Sequence, residues 1–253
     1  MNRSGTVHLV GAGPGAPDLL TVRAARLLGE ADIVFHDALI HPDVIALCSG
    51  MKIPVGKRSG RHSTAQRFIN KQLADAARRY RTVVRLKGGD PMLFGRAHEE
   101  ISSLRAQGIR VEVVPGVTAA LAASADLGIS LTRRGLARSV TFVTPRVGKG
   151  ERESSWVAAV LAADTAAIYM GAGEAPAICA ALIAAGKPPG TPVAVVESAS
   201  LPARAVRYGT LATLQAIAEP GEAPSVILVG ESYAEAAAEA VLALLPRSAS
   251  HRA

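Results

Sequence analysis

The sequence predicts an α/β protein of two domains, each built on a mostly parallel sheet with helices packed against it. Three observations predict it. Short apolar, β-prone runs alternate with longer segments of helical periodicity along nearly the whole chain. Hydrophobic residues make up 49% of the 253, enough for substantial cores. In the first half, each apolar run also ends in a turn or polar motif, as strands do where they hand over to a loop.

The elements follow in order. Residues 6–10 form a strand that runs into the glycine loop 11–17 and a helix over 19–29. A second strand over 32–35 ends at His36 and Asp37, and a short helix covers 42–48. The third strand, 52–55, ends at Gly56, Lys57 and Arg58. Residues 63–80 have helical periodicity, with Ser63 placed as an N-cap. The stretch VVRLKGGDPMLFG, residues 83–95, starts as a buried strand and breaks at Gly88, Gly89, Asp90 and Pro91. A helix over 97–107 stops at Gly108, and a fifth strand, 110–114, ends at Pro115, Gly116, Val117 and Thr118. A connecting helix over 117–127 opens the second half. There, strands over 139–144, 165–170, 192–197, 203–208 and 225–229 alternate with helices over 156–163, 175–185, 210–217 and 231–244. The strand around 204–208 is a candidate for antiparallel pairing. The boundaries that result are 1–116 and 117–246, with a mobile polar loop over 148–155 and a disordered tail over 247–253.

Composition excludes several classes of function. Net charge is +7, which favours polyanionic partners, but aromatics are only 4%, too few for a nucleic-acid stacking platform. The cations are spread over loops, a distribution that suits a compact polyanionic small molecule better than a duplex. Cys48 and Cys179 are isolated and apolar in setting, so two reduced thiols are expected, and no histidine or cysteine spacing suits a metal. No apolar run reaches membrane-spanning length, and the first residues lack a signal peptide's apolar core. A soluble cytoplasmic protein is expected.

The chemistry concentrates at strand ends. In a parallel sheet the carboxyl ends share one edge, so the motifs after the first five strands are expected to meet at one crevice. Gly11 to Ala16 fits G-x-G-x-x-A, the dinucleotide fingerprint. Pro14 and Pro17, however, lack the N–H groups that a pyrophosphate needs, so a ligand less dependent on amide donors is favoured over a dinucleotide or a purely structural turn. Asp37 reads as a carboxylate facing the crevice, a base or N–H acceptor, against the alternative of a helix cap. Gly56 to His62 is a cationic loop suited to an anion or to solvent. No nucleophile elbow, phosphate-binding lysine loop or recognisable triad is present, which favours a reaction driven by positioning and proton transfer.

These motifs together resemble one family. VGAGPGAPDLLT, HDALI, VGKR, VVRLKGGDPMLFGR, VVPGVTAALA and the later YMG and VAVVE, spanning about residues 7–230, are similar to those of the uroporphyrinogen-III C-methyltransferases among the tetrapyrrole methyltransferases. The resemblance implies two α/β domains with a cleft between them and a homodimer. It implies S-adenosylmethionine as methyl donor and uroporphyrinogen III as acceptor, with two methyl transfers to ring carbons giving precorrin-2. It places cofactor contacts on Pro14, Gly88, Gly89, Asp90, Leu93, Thr118, Ala119, Met170 and Ala199, a proton acceptor on Asp37 and a proton donor on Lys57. Arg58, Arg96 and Arg134 are the expected contacts to the carboxylate-rich substrate. The donor has no phosphate, so a glycine loop interrupted by prolines is no handicap, and apolar Leu93 and Met170 suit adenine.

The chain departs from the family's pattern at Ala97–His98, where a glycine pair is common. It departs again at Arg133, where histidine is frequent, and at Thr144-Pro-Arg146 in place of Thr-Gly-His. Residues 200–204 lack a frequent glutamine, and Ala199 stands where glycine is usual. Other readings are a later precorrin methyltransferase of the same fold, a nicotinamide-dependent oxidoreductase, and a non-catalytic tetrapyrrole-binding protein.

Overall fold

The computed structural model describes residues 4–55, 66–148, 154–218, 221 and 223–244. Lys57 and Arg58 with their loop, the Ser63 cap, most of the polar loop after Gly148 and the tail over 247–253 lie outside the described residues. Chain contacts divide the protein into two compact units: Met1–Ala122 with Ser200–Pro202, and Ala123–Ala199 with Ala203–Ala253.

The first unit holds strands β1 (Thr6–Gly11), β2 (Ile33–His36), β3 (Met51–Pro54), β4 (Thr82–Lys87) and β5 (Arg110–Val114). They form one sheet in the order β3-β2-β4-β1-β5, with every pairing parallel. Helices α1 (Val22–Glu30), α2 (Pro42–Ala46), α3 (Gln66–Ala77) and α4 (Ala97–Arg105) connect the strands. Side chains alternate across the pleat, so β1 and β4 feed two cores. Val7, Leu9 and Val83 pack with Leu73 of α3 and Leu104 of α4 on one face. Val10, Val84 and Leu86 pack with Leu27 and Leu28 of α1 and Val44 of α2 on the other. β1 and β4 are therefore neighbours whose following helices lie on opposite faces. That is a topological switch point, the place where parallel α/β sheets open to ligands beyond their carboxyl ends.

Helix α5 (Ala119–Leu127) carries the chain into the second unit. Its strands are β6 (Val140–Val143), β7 (Thr165–Tyr169), β8 (Pro192–Glu197), β9 (Ala205–Thr210) and β10 (Ser225–Gly230). They join in the order β6-β7-β10-β8-β9. Helices α6 (Trp156–Ala162), α7 (Ala175–Ala184), α8 (Leu214–Ile217) and α9 (Ala234–Leu244) complete the unit. The α/β class holds for both units, with a correction to the second sheet: only β6 and β7 pair in parallel, and the other three pairings are antiparallel. Two causes are physical. The 198–204 connection between β8 and β9 is too short for the crossover of about a dozen residues that a parallel neighbour needs. β10 then inserts between β7 and β8 against the direction of both. The antiparallel reading of the strand around 204–208 is met by β9. Among the described residues, no helix is long and apolar enough to cross a membrane.

Candidate active site

The loops after β1, β4 and β5 meet backbone to backbone. Gly13 and Gly89 form an isolated bridge, Gly89 N donating to Gly13 O at 2.8 Å and Gly13 N to Gly89 O at 3.2 Å. Both glycines have positive φ, +70° and +64°, which a side chain would resist. Gly116 closes the set. A Cβ there would lie 2.3 Å from Gly89 O and 2.9 Å from the Cα of Gly11, a distance no real Cβ tolerates. The glycines thus let three loops approach closely and form a backbone floor.

Asp90 ties this floor together. Its Oδ1 accepts from Met92 N at 2.8 Å, an Asx turn, and its Oδ2 accepts from Gly116 N at 2.9 Å. The residue placed by resemblance as a donor contact therefore has a bracing role in the fold. Around it, a Cβ on Gly88 would meet nothing within 4 Å, and one on Gly89 would lie 3.8 Å from the Cα of Thr118. Thr118 is buried, and its carbonyl accepts from Leu121 N and Ala122 N as α5 begins at Ala119. Pro14 is partly buried between the positive-φ glycines Gly13 and Gly15. Leu93 N closes a turn on Asp90 O at 3.2 Å, and the flanking Met92 and Phe94 are exposed. Phe94 and Arg96 are left-handed, at φ 52° and 54°, and Gly95 between them has no room for a side chain, since its Cβ would lie 2.5 Å from Pro91 O.

Asp37 stands at the same sheet edge, one residue beyond β2. Its amide donates to Leu86 O of β4 at 3.3 Å, and its side chain remains one-third exposed. Arg85 Nη2 donates to its Oδ1. Arg85 is 2% exposed and belongs to a buried ionic group with Lys87 at 4% and Glu100 at 0%. Glu100 Oε1 accepts from Arg85 Nε, Lys87 Nζ and Gln66 Nε2, each at 3.1 Å. Burial pushes the Lys87 ammonium below its usual range and neighbouring Arg85 adds to this, while Glu100 and Asp37 oppose it. The motif reading assigns no role to Arg85, Lys87 or Glu100. A signal was present: two cations two residues apart in an apolar strand must share one face, and a buried face requires a counter-charge.

Of the other residues singled out, Arg96 is exposed and holds Glu99 through both Nε (2.7 Å) and Nη2 (2.8 Å). Met170, Ala199 and Arg134 belong to the second unit. Met170 directly follows β7, with φ 56°, and is 44% exposed. Ala199 is buried between the left-handed residues Ser198 and Ser200, and Arg134 is exposed. Two neighbours of the basic loops are paired: Arg133 with Glu235 at 3.5 Å and Arg204 with Asp126 at 3.5 Å. The sequence reading gives no part to Ser200, whose Oγ accepts from Ala16 N of the glycine loop at 3.1 Å.

A backbone floor at the switch point of a parallel sheet, with a part-exposed carboxylate at its edge, defines an α/β enzyme site for a small molecule. Comparison with known proteins narrows the class. The sequence matches the tetrapyrrole (corrin/porphyrin) methylases over residues 6–215. The structure is similar to that of uroporphyrin-III C-methyltransferase from Thermus thermophilus complexed with S-adenosyl homocysteine. The TM-score is 0.81 at 39% identity, covering 91% of this chain and 100% of that one. It is also similar to a cobalt precorrin-4 methyltransferase, with a TM-score of 0.78 at 27% identity over 90% of this chain and 95% of that one. In sequence it is 46% identical to the sirohaem synthase of Psychrobacter sp. (strain PRwf-1) over 231 residues, 90% of this chain and 47% of that protein. The chain spans about half the length of the curated relatives it matches. The chain belongs to the tetrapyrrole methylase family and is a methyltransferase.

Proposed function

We propose that this chain methylates ring carbons of uroporphyrinogen III with S-adenosylmethionine, two transfers giving precorrin-2, the step that leads toward sirohaem and cobalamin. The observation that carries the reading is the seating of Asp37. It is a part-exposed carboxylate at the carboxyl edge of the parallel sheet, one strand away from the Gly13–Gly89 pair. The full-length likeness to the Thermus enzyme supports it.

The residues present fit the donor. The open space over Gly88 and the absence of a side chain on Gly13 and Gly89 leave room for a ligand against the backbone. Pro14, Gly88, Gly89, Asp90, Leu93, Thr118, Ala119, Met170 and Ala199 would hold it. When bound, the donor supplies an electrophilic methyl on a sulfonium. The chain's task is then alignment, removal of a proton from the methylated substrate and charge complementarity to it. Asp37 takes the proton and Lys57 donates one, while Arg58, Arg96 and Arg134 meet substrate carboxylates. The protein is taken to work as a cytoplasmic homodimer, for which light scattering on the purified chain is the check; a monomer would count against it.

The test is incubation with uroporphyrinogen III and methyl-labelled S-adenosylmethionine, with products read by mass. A dimethylated product supports the reading. The likeness to the cobalt precorrin-4 enzyme makes a later corrin-ring methylation the second reading. Label transfer to a later precorrin and none to uroporphyrinogen III would favour it.

A further inference from the structure

A buried ionic group of Arg85, Lys87 and Glu100 lies beneath Asp37. Alternation along β4 puts Arg85 and Lys87 on the face covered by α3 and α4, and α4 brings the fully buried Glu100 to them. All three guanidinium nitrogens of Arg85 are used. Nε goes to Glu100 Oε1 at 3.1 Å, Nη1 to the carbonyls of Leu86 (3.1 Å) and Phe35 (3.5 Å), and Nη2 to Asp37 Oδ1. Glu100 is itself held at both oxygens, by Lys87 at 3.1 and 3.2 Å and by Gln66 at 3.1 Å. Two cations face two carboxylates, so the group balances in charge with Asp37 ionised. Burying such a group contributes little to stability, because desolvation opposes the Coulomb gain. What it does supply is geometry. A planar fork anchored at one end can fix a carboxylate at the other. Asp37 is the group's one outlet toward solvent, one-third exposed, and among the described residues no donor reaches its Oδ2.

We propose that Arg85, locked by Glu100, is a positioning residue that fixes the Asp37 carboxylate so that Oδ2 faces the carbon losing its proton, with Lys87 and Gln66 holding Glu100 in place. This rests on the reading of Asp37 as the proton acceptor.

A double-mutant cycle on the full chain tests it, with label transfer to uroporphyrinogen III as the readout. Glu100→Gln keeps the shape and removes the charge that holds Arg85. It should lower kcat by about tenfold or more, the scale of a misplaced acid–base group, while KM for uroporphyrinogen III and affinity for S-adenosylhomocysteine stay within about twofold. In an Asp37→Asn background the same change should alter kcat by less than about twofold, because the group it acts through is gone. Should Glu100→Gln fail to fold, Arg85→Lys serves: it keeps the charge but cannot span Glu100 and Asp37 together, and the same pattern is expected. Losses that multiply in the Asp37→Asn background would show a merely structural role and overturn the proposal. So would a Glu100→Gln enzyme with unchanged kcat beside an impaired Asp37→Asn enzyme, an outcome that leaves the assignment of Asp37 standing. Full activity in Asp37→Asn overturns that assignment and this proposal together, as does no label transfer by the unaltered protein.

Discussion

Asp90 Oδ2 accepts a hydrogen bond from the amide of Gly116 at 2.9 Å, so one side chain fastens the turn after β4 to the loop after β5. With Oδ1 on Met92 N, both carboxylate oxygens serve the backbone. Asp90→Ala should therefore destabilise the fold by about 1 kcal/mol, because the part-buried Gly116 amide loses its acceptor while the exposed Met92 amide turns to water. It should also weaken S-adenosylhomocysteine binding in calorimetry. Lower stability with unchanged affinity would assign Asp90 to bracing alone.

The glycines of the floor separate two effects. Gly116→Ala puts a Cβ 2.3 Å from Gly89 O, a backbone atom that cannot swing aside. A loss of about 1–3 kcal/mol in denaturant unfolding is expected, as for other overpacked sites. Gly88→Ala meets nothing within 4 Å. Its stability should stay within about 0.5 kcal/mol of the parent, while its affinity for S-adenosylhomocysteine falls because the added methyl occupies the ligand's space. Equal affinity would move the ligand away from Gly88.

Met170 holds a left-handed φ of 56° although 44% exposed, a conformation in which glycine carries no Cβ strain. Met170→Gly is expected to keep or raise the melting temperature, with a gain of up to about 1 kcal/mol. If the thioether covers the donor's adenine, the same variant binds S-adenosylhomocysteine more weakly. A variant that gains stability and loses no affinity would leave the strain without a ligand-side reason.

His8 gives the fold a pH dependence. Burial lowers its pKa below the ordinary value of 6.5, Arg110 and Arg26 act in the same direction, and Glu112 and Glu30 oppose it. The folded state therefore binds a proton less readily than the unfolded chain. Stability from this group is present above the unfolded value and is lost as pH falls through it toward the folded value. Thermal melts should show stability falling as pH drops below 6.5, with a shallower fall in His8→Gln. Parallel slopes in the two proteins would rule His8 out as the cause.

Much of the fold was legible because its signals are local. Apolar runs such as TVHLV and SVILVG mark strands wherever they sit in space, and the segments between them mark helices. The five-stranded parallel sheet follows from alternation with crossovers. The direction of β10 does not, because a strand reads alike from either end and only the insertion between β7 and β8 orients it.

The sequence by itself determined which motifs stand at the strand ends: a glycine loop unsuited to phosphate, Asp37 just beyond a strand, and the Gly88–Asp90 turn. These signals are carried by residue type and by spacing along the chain. Tertiary structure alone decided how those residues are held. Arg85 reaches Asp37 and Glu100 only because β2 and α4 pack against β4, bringing together positions 48 and 15 residues away in sequence. Asp90 becomes a brace only when Gly116 arrives beside it. Hydrogen bonds and ion pairs act over a few ångströms of space, whatever the separation along the chain, so the support beneath a site emerges only when the chain has folded.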